Sequence, residues 1–194
     1  NLLKEAGYKT GYFGKWHALA QTRGMHGNDK EIMPHFGWEE WLLHASNDRG
    51  TNHWPSHVLL NGERIAINEN RFAHYSRERN WRDGRPKVVK HGRFFGDVVT
   101  EHACGFFKRN RGEPFVAHVG FSAPHTQFEA PDRDKVAEER GWDPETAGYV
   151  WMVEQFDRDI GTILDCLRQL DLEKNTVVFV TSDHGGINYG KWND

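Results

Sequence analysis

Three short apolar runs separated by helical patterns most constrain the fold of this chain. The runs occupy residues 9–14, 114–121 and 176–181, and the last one is rich in β-branched side chains. A helical pattern precedes the second run, and a longer one separates the second from the third. Strands that alternate with helices usually pair in parallel and are covered by helices. We therefore expect an α/β fold, with a mostly parallel sheet and helices on both faces.

The longer helical pattern begins after Asp143. Asp143 is a favourable N-cap residue, and Pro144 suits the first helical turn. Because apolar residues then recur at helical spacing, one continuous apolar face is predicted. The residues of that face are Tyr149, Val153, Phe156, Ile160, Ile163, Leu167 and Leu170.

The remaining elements are shorter. Val99, Ala103 and Phe106 predict a helix before the second run. Short strands are expected within residues 18–94, around 38–43 and in a hairpin at 58–65 whose Asn-Gly suits a tight turn. The first residues look like the end of a helix that stops at a glycine, and the last ones follow a strand without a helix. We therefore expect a piece of a longer protein.

The composition excludes several classes of protein. The 194 residues carry a net charge of -3 and are 37% hydrophobic, enough for a buried core and too balanced for a general polyanion binder. We expect no membrane span, because no apolar run approaches the roughly 20 residues that cross a bilayer. Cys104 and Cys166 fall in predicted helices without C-x-x-C spacing, and we expect them to be buried thiols.

Polar side chains follow each of the three apolar runs. Lys15 and His17 follow the first run, and His125 follows the second. Asp183 and His184 follow the third, where they offer an oxygen and a nitrogen ligand to a divalent metal. Because the carboxyl ends of parallel strands meet at one edge of a sheet, we expect these side chains to line one crevice.

Cationic and hydrogen-bonding side chains in this crevice suit a tetrahedral oxyanion. Lys15, His17, His125 and Lys191 could stabilise the charge that moves onto the leaving oxygen during ester cleavage. The combination indicates sulfuryl or phosphoryl transfer. Taken singly, each motif is more often a surface turn or a loop histidine than part of a site.

Together the motifs resemble those of a known family. Residues 7–17 read G-Y-K-T-G-Y-F-G-K-W-H, which looks like the G-Y-x-T-x-x-x-G-K-W-H signature of the sulfatases, members of the alkaline-phosphatase-like superfamily. Residues 121–125, 149–157 and 175–185 are similar to further sulfatase segments, in the family's order. The resemblance implies that 1–194 are part of one sulfatase catalytic domain, with 18–94 as an irregular, variable insertion.

The resemblance also implies roles for the candidate residues. Lys15 and His17 match residues that orient formylglycine, a nucleophile made from Cys or Ser. His125 and Lys191 match residues that grip the sulfate and assist the leaving group. Asp183 and His184 match one pair of metal ligands, usually for Ca²⁺, with Mg²⁺ or Mn²⁺ as alternatives.

Two departures from the family pattern keep other functions open. The nucleophile motif C/S-x-P-x-R is absent from the sequence, so we expect this chain alone to show negligible turnover and weak metal affinity. This absence also leaves a non-catalytic binding homologue open. His184 stands where many members have Asn, and a nitrogen ligand there occurs in related hydrolases, so a phosphonate or phosphodiester hydrolase is the other alternative.

The expected partners follow from the same resemblance. The substrate would be a small-molecule or glycan sulfate ester, and the full-length protein would require a formylglycine-generating enzyme. Members are often periplasmic, secreted or lysosomal, and the localisation stays open. Residues 77–93 are basic, but we favour a solvated loop over a nucleic-acid or sulfated-glycan contact because no nucleic-acid fold signature accompanies them.

Overall fold

The computed structural model describes residues 2–16, 29–44, 53–68, 92–125, 128, 130–183 and 185. The described helices are α1 (Leu2–Glu5), α2 (Asp29–His35), α3 (Phe95–Arg109), α4 (Arg133–Arg140) and α5 (Pro144–Gln169), followed by a 3-10 turn at Glu173–Asn175. The described strands are β1 (Lys9–Gly14), β2 (Glu40–His44), β3 (His57–Leu60), β4 (Glu63–Ala66) and β5 (Phe115–Gly120).

These strands form one sheet in the order β4-β3-β2-β1-β5. β1 lies between β2 and β5 and is parallel to both, whereas β2, β3 and β4 pair in an antiparallel manner. The parallel centre of the sheet confirms the predicted α/β class. It also directs the carboxyl ends of β1, β2 and β5 toward one edge.

Helices cover both faces of the sheet, as predicted. Side chains alternate along β1, so that Phe13 and Tyr12 lie on opposite faces. Phe13 is fully buried and packs near Phe106 of α3, with ring centroids 5.5 Å apart. Tyr12 belongs to a second apolar cluster that includes Met33 of α2. Full burial of a side chain such as Phe13 stabilises the fold by about 1.5–3 kcal/mol.

The predicted hairpin is confirmed at β3 and β4. Its two central residues, Asn61 and Gly62, have φ angles of 50° and 82°. Positive φ at both positions matches the twist of a two-residue hairpin, and Asn-Gly adopts it at low steric cost.

The long helix α5 begins as predicted, but its buried face differs. Asp143 accepts hydrogen bonds from the backbone N–H groups of Glu145 and Thr146. Val153, expected to be buried, is 39% exposed, whereas Met152 is fully buried. The reason is tertiary packing: α5 contacts both α3 and α4, and this pair of neighbours selects the face that is covered.

Two other sequence expectations are corrected by the structure. Residues 18–94 contain not only the expected short strands but also α2, which was not predicted. The run at 176–181 was predicted to be a buried strand, yet it does not join the sheet, and Phe179 is 88% exposed. β-Branched composition favours an extended backbone, but a strand also requires a neighbouring ladder.

The thiols are only half-buried, whereas buried thiols were expected. The basic stretch 77–93 lies outside the described residues except for Arg93. Within the described ranges no helix is long and apolar enough to span a membrane.

Candidate functional site

Three strands end at the edge where the candidate site lies. Gly14 of β1 pairs with Gly120 of β5, and β2 ends at His44. Just beyond β1, the backbone N–H of Lys15 donates to the carbonyl oxygen of Gly120 at 2.8 Å. Lys15 therefore lies beside the start of the loop that carries His125.

This close approach of β1 and β5 requires glycine at position 14. Gly14 has a φ of 126°, a region that side-chain-bearing residues rarely adopt. A Cβ atom added to Gly14 would lie 1.9 Å from the carbonyl oxygen of Gly120. The backbone can therefore leave β1 and present Lys15 only because no side chain stands at this position.

A buried histidine connects the edge to the β2–β3 region. His53 is 3% exposed, and its Nε2 lies 3.1 Å from the backbone carbonyl oxygen of His125. Since a carbonyl oxygen only accepts, Nε2–H is the donor and Nδ1 carries a lone pair. Nδ1 is buried and has no hydrogen-bond partner among the described residues. It can therefore accept a hydrogen bond from a group that enters the site.

Burial and nearby charged side chains determine the protonation state of His53. Burial, the largest cause, lowers the pKa of His53 to about 3, and the His125 carbonyl opposes this effect. The nearby positive charges of His44, His125 and Lys15 lower the pKa further. His53 is therefore neutral near pH 7. Such a neighbourhood favours an anionic ligand.

The loop after β5 turns sharply at residues 122–125. The backbone N–H of His125 donates to the carbonyl oxygen of Ser122 at 2.9 Å, and the Ala123–Pro124 peptide bond is cis. Ser122 is buried, and its hydroxyl has no hydrogen-bond partner among the residues described. His125 itself is half-buried.

An aromatic cluster fixes the backbone on the other side of Lys15. The Tyr12 hydroxyl donates to the carbonyl oxygen of Lys15, and the Tyr12 ring stacks on His118 at 4.5 Å. Trp16 packs edge-on against Tyr12 with ring centroids 5.0 Å apart. Burial raises the pKa of Tyr12 to about 12, so this hydroxyl remains a donor at neutral pH.

The structure brings two of the predicted residues, Lys15 and His125, into one neighbourhood around His53. His17, His184 and Lys191 lie outside the described residues. Asp183 is exposed and follows the extended run that does not join the sheet, so its place at this edge stays a prediction.

Sequence reasoning missed three residues of the site. His44 stands at the carboxyl end of β2, and the rule that located Lys15 would have found it. Ser122 lies in the segment 121–125, but a serine before Ala-Pro gives no sign of its burial at the site. His53 gives no local signal, because it lies outside any helix or strand and its partner is 72 residues away.

A complete metal site is not formed by the part of the chain that the structure describes. No group of three or more His, Cys, Asp or Glu side chains among these residues is arranged to hold a metal ion. The exposed position of Asp183 does not by itself fit a metal centre, because a divalent ion needs several ligands.

Comparisons with known proteins identify relatives. The family model described as Sulfatase matches residues 1–193. The uncharacterized sulfatase YdeN of Escherichia coli is 25% identical, and the match covers 96% of this chain but 32% of YdeN. An N-acetylgalactosamine-6-O-sulfatase of Bacteroides thetaiotaomicron is 26% identical, with 96% and 42% covered. The chain thus spans less than half the length of these relatives.

Solved structures share the fold. A Bacteroides thetaiotaomicron protein from work on the metabolism of multiple glycosaminoglycans superposes with a TM-score of 0.59 at 22% identity, covering 90% of this chain and 42% of that one. Ps i-CgsB, solved in complex with k-i-k-neocarrahexaose, gives a TM-score of 0.57 at 19% identity, covering 88% and 36%. At these identities the likeness establishes the fold alone.

Proposed function

The chain belongs to the sulfatase family, and on that premise we propose that it is part of a hydrolase that cleaves sulfate monoesters. The observation that carries the proposal is the neighbourhood of Lys15 and His125 around neutral His53. A sulfate monoester presents a tetrahedral anion, and cationic groups at a strand edge stabilise it. We also propose that residues 1–194 belong to one catalytic domain.

Each candidate side chain has a separate role in the proposed reaction. Lys15, together with His17, orients the formylglycine nucleophile that the longer protein would supply. His125, together with Lys191, holds the sulfate oxygens and gives a proton to the leaving oxygen, whose negative charge develops as the ester bond breaks. His53 keeps His125 in place by donating to its backbone carbonyl oxygen.

A divalent metal, Ca²⁺ first among the candidates, belongs to the proposal for the longer protein. Asp183 and His184 are the proposed ligands, and the described residues do not complete their coordination.

The proposed substrate is a glycan or small-molecule sulfate ester. One relative that matches 96% of this chain is named for N-acetylgalactosamine 6-O-sulfate, and another that matches 95% is named an ulvan-active sulfatase. Both names refer to carbohydrates, which favours a sulfated glycan. A formylglycine-generating enzyme is the proposed maturation partner.

The test is an assay of the complete protein that contains this chain. Side by side, 4-nitrophenyl sulfate and a matched aryl phosphonate ester should show a clear preference for the sulfate. His125→Ala should lower kcat/KM for the sulfate by roughly 10²- to 10³-fold, because a proton donor is lost. Lys15→Ala should also lower kcat/KM for the sulfate ester.

The control is Lys135→Ala. Lys135 is 74% exposed on α4, where it pairs with Glu139 at 3.8 Å, and its removal should leave the rate unchanged. A preference for the phosphonate would overturn the proposal in favour of the related hydrolases. Failure of the mature protein to hydrolyse either ester would instead indicate a non-catalytic binding homologue.

A further inference from the structure

The two cysteines of the chain, far apart in sequence, are neighbours in the structure. Cys104 lies on α3 and Cys166 on α5, the two helices pack together, and the Cys166 thiol is close enough to raise the pKa of Cys104. Both are free thiols and both are half-buried, so that small reagents can reach them. Neighbouring thiols on two packed helices can reach the separation at which a disulfide forms.

The surrounding packing holds this pair in place. α3 and α5 contact each other, and both cysteines pack against the same apolar cluster. Ala103 on α3 and Ile163 and Leu167 on α5 are buried in that cluster. Because all these groups stand on helices with buried contacts, packing holds the backbones of the two cysteines beside each other.

We propose that Cys104 and Cys166 form a reversible disulfide that links α3 to α5. The oxidant is a small-molecule disulfide such as oxidised glutathione. Burial raises the pKa of Cys104 to about 12, so Cys104 is not the thiolate that attacks first. The Cys166 thiolate attacks the oxidant, forms a mixed disulfide and releases one glutathione thiolate.

The second step closes the link. Cys104 gives its proton to the released thiolate or to water and attacks the Cys166 sulfur, which expels the second glutathione. Two protein thiols are oxidised and one small disulfide is reduced to two thiols. The loop that is closed contains β5 and the turn at 122–125. The link therefore restrains the unfolded chain across the segment that carries His125.

The experiment uses this chain and does not depend on catalytic activity. After incubation with oxidised glutathione and blocking with N-ethylmaleimide, the intact mass should fall by about 2 Da, with no maleimide added. A protease digest under non-reducing conditions should contain one peptide pair that joins Cys104 to Cys166. The melting temperature should rise by roughly 5–10 °C over the reduced chain.

Matched variants distinguish the internal link from other oxidation products. Cys104→Ser and Cys166→Ser should each lose the 104–166 peptide pair, and the remaining cysteine should carry one glutathione or one maleimide. The proposal fails if the unmodified chain, which needs no variant to fold, accumulates glutathione adducts or disulfide-linked dimers instead of the internal link.

Discussion

The Nε2 atom of His53 lies 3.1 Å from the backbone carbonyl oxygen of His125, although 72 residues separate the two in sequence. This hydrogen bond joins the segment between β2 and β3 to the turn that follows β5. His53 is also stacked near Phe94, with ring centroids 5.9 Å apart, so the ring has little freedom to move. The position of His125 at the sheet edge therefore depends on a side chain from another part of the chain.

Removing the His53 donor should destabilise the fold. His53→Leu removes this donor to the His125 carbonyl oxygen, and the loss of a typical hydrogen bond within a protein costs about 0.5–1.5 kcal/mol. Chemical denaturation followed by circular dichroism measures this free energy of unfolding. His53→Gln, which keeps an N–H donor at a similar distance, should recover part of the loss. Equal destabilisation by both variants would show that the hydrogen bond contributes little.

The lowered pKa of His53 predicts sensitivity to acid. Since the folded pKa, about 3, lies below the ordinary value of 6.5, the folded chain takes up this proton less readily than the unfolded chain. Stability from this group is therefore complete above pH 6.5 and declines as the pH falls toward 3. Between pH 6.5 and 4.5 the unmodified chain should lose roughly 2 kcal/mol relative to His53→Gln. If the stabilities of the unmodified chain and of His53→Gln change with pH in the same way, His53 is not the group that causes the loss.

The raised pKa of Asp159 predicts that the folded chain also loses stability as the pH rises. Burial raises the pKa of Asp159 to about 7, nearby Asp97 adds to this, and Gln155 and Arg158 oppose it. The folded chain therefore holds this proton more tightly than the unfolded one, and the resulting stability is lost as the pH rises from about 4 through 7. Asp159→Asn should remove this decline and melt several degrees higher than the unmodified chain at pH 8.

Asp165→Asn is the matched control for Asp159→Asn. Asp165 lies on the same helix, its side chain is 59% exposed, and it pairs with Arg168. Exposed pairs of this kind contribute about 0–1 kcal/mol. Differential scanning fluorimetry across pH 5–8 makes the comparison, and a shared pH profile for both variants would contradict the role of burial at Asp159.

Gly14→Ala should separate β1 from β5 and displace Lys15. The added methyl group would stand 1.9 Å from the Gly120 carbonyl oxygen at a φ of 126°, so the backbone must shift. We expect a loss of more than about 2 kcal/mol in the free energy of unfolding. Gly112→Ala is the control, because nothing lies within 4 Å of its added Cβ, and it should stay within about 0.5 kcal/mol of the unmodified chain. Similar losses in the free energy of unfolding for Gly14→Ala and Gly112→Ala would refute the close approach of Gly14 to Gly120.

Much of the fold follows from local sequence alone. The Asp143 cap, the Asn61-Gly62 turn and the bounds of β1 are set by side-chain hydrogen bonds, by permitted φ angles and by apolar spacing over a few residues. The general rule for parallel strands then predicted that Lys15 and His125 approach the same edge. Each of these features depends on neighbours in sequence or on one rule of sheet architecture.

Other features were decided by tertiary structure. Which face of α5 is buried depends on α3 and α4, and the run at 176–181 remains exposed because β-branched composition does not supply a pairing strand. The positions of His53 beside His125 and of Cys104 beside Cys166 arise from contacts between distant segments. The periodicity of a segment indicates which secondary structure it favours. Contacts between residues far apart in sequence depend instead on which surfaces of the sheet and helices pack together.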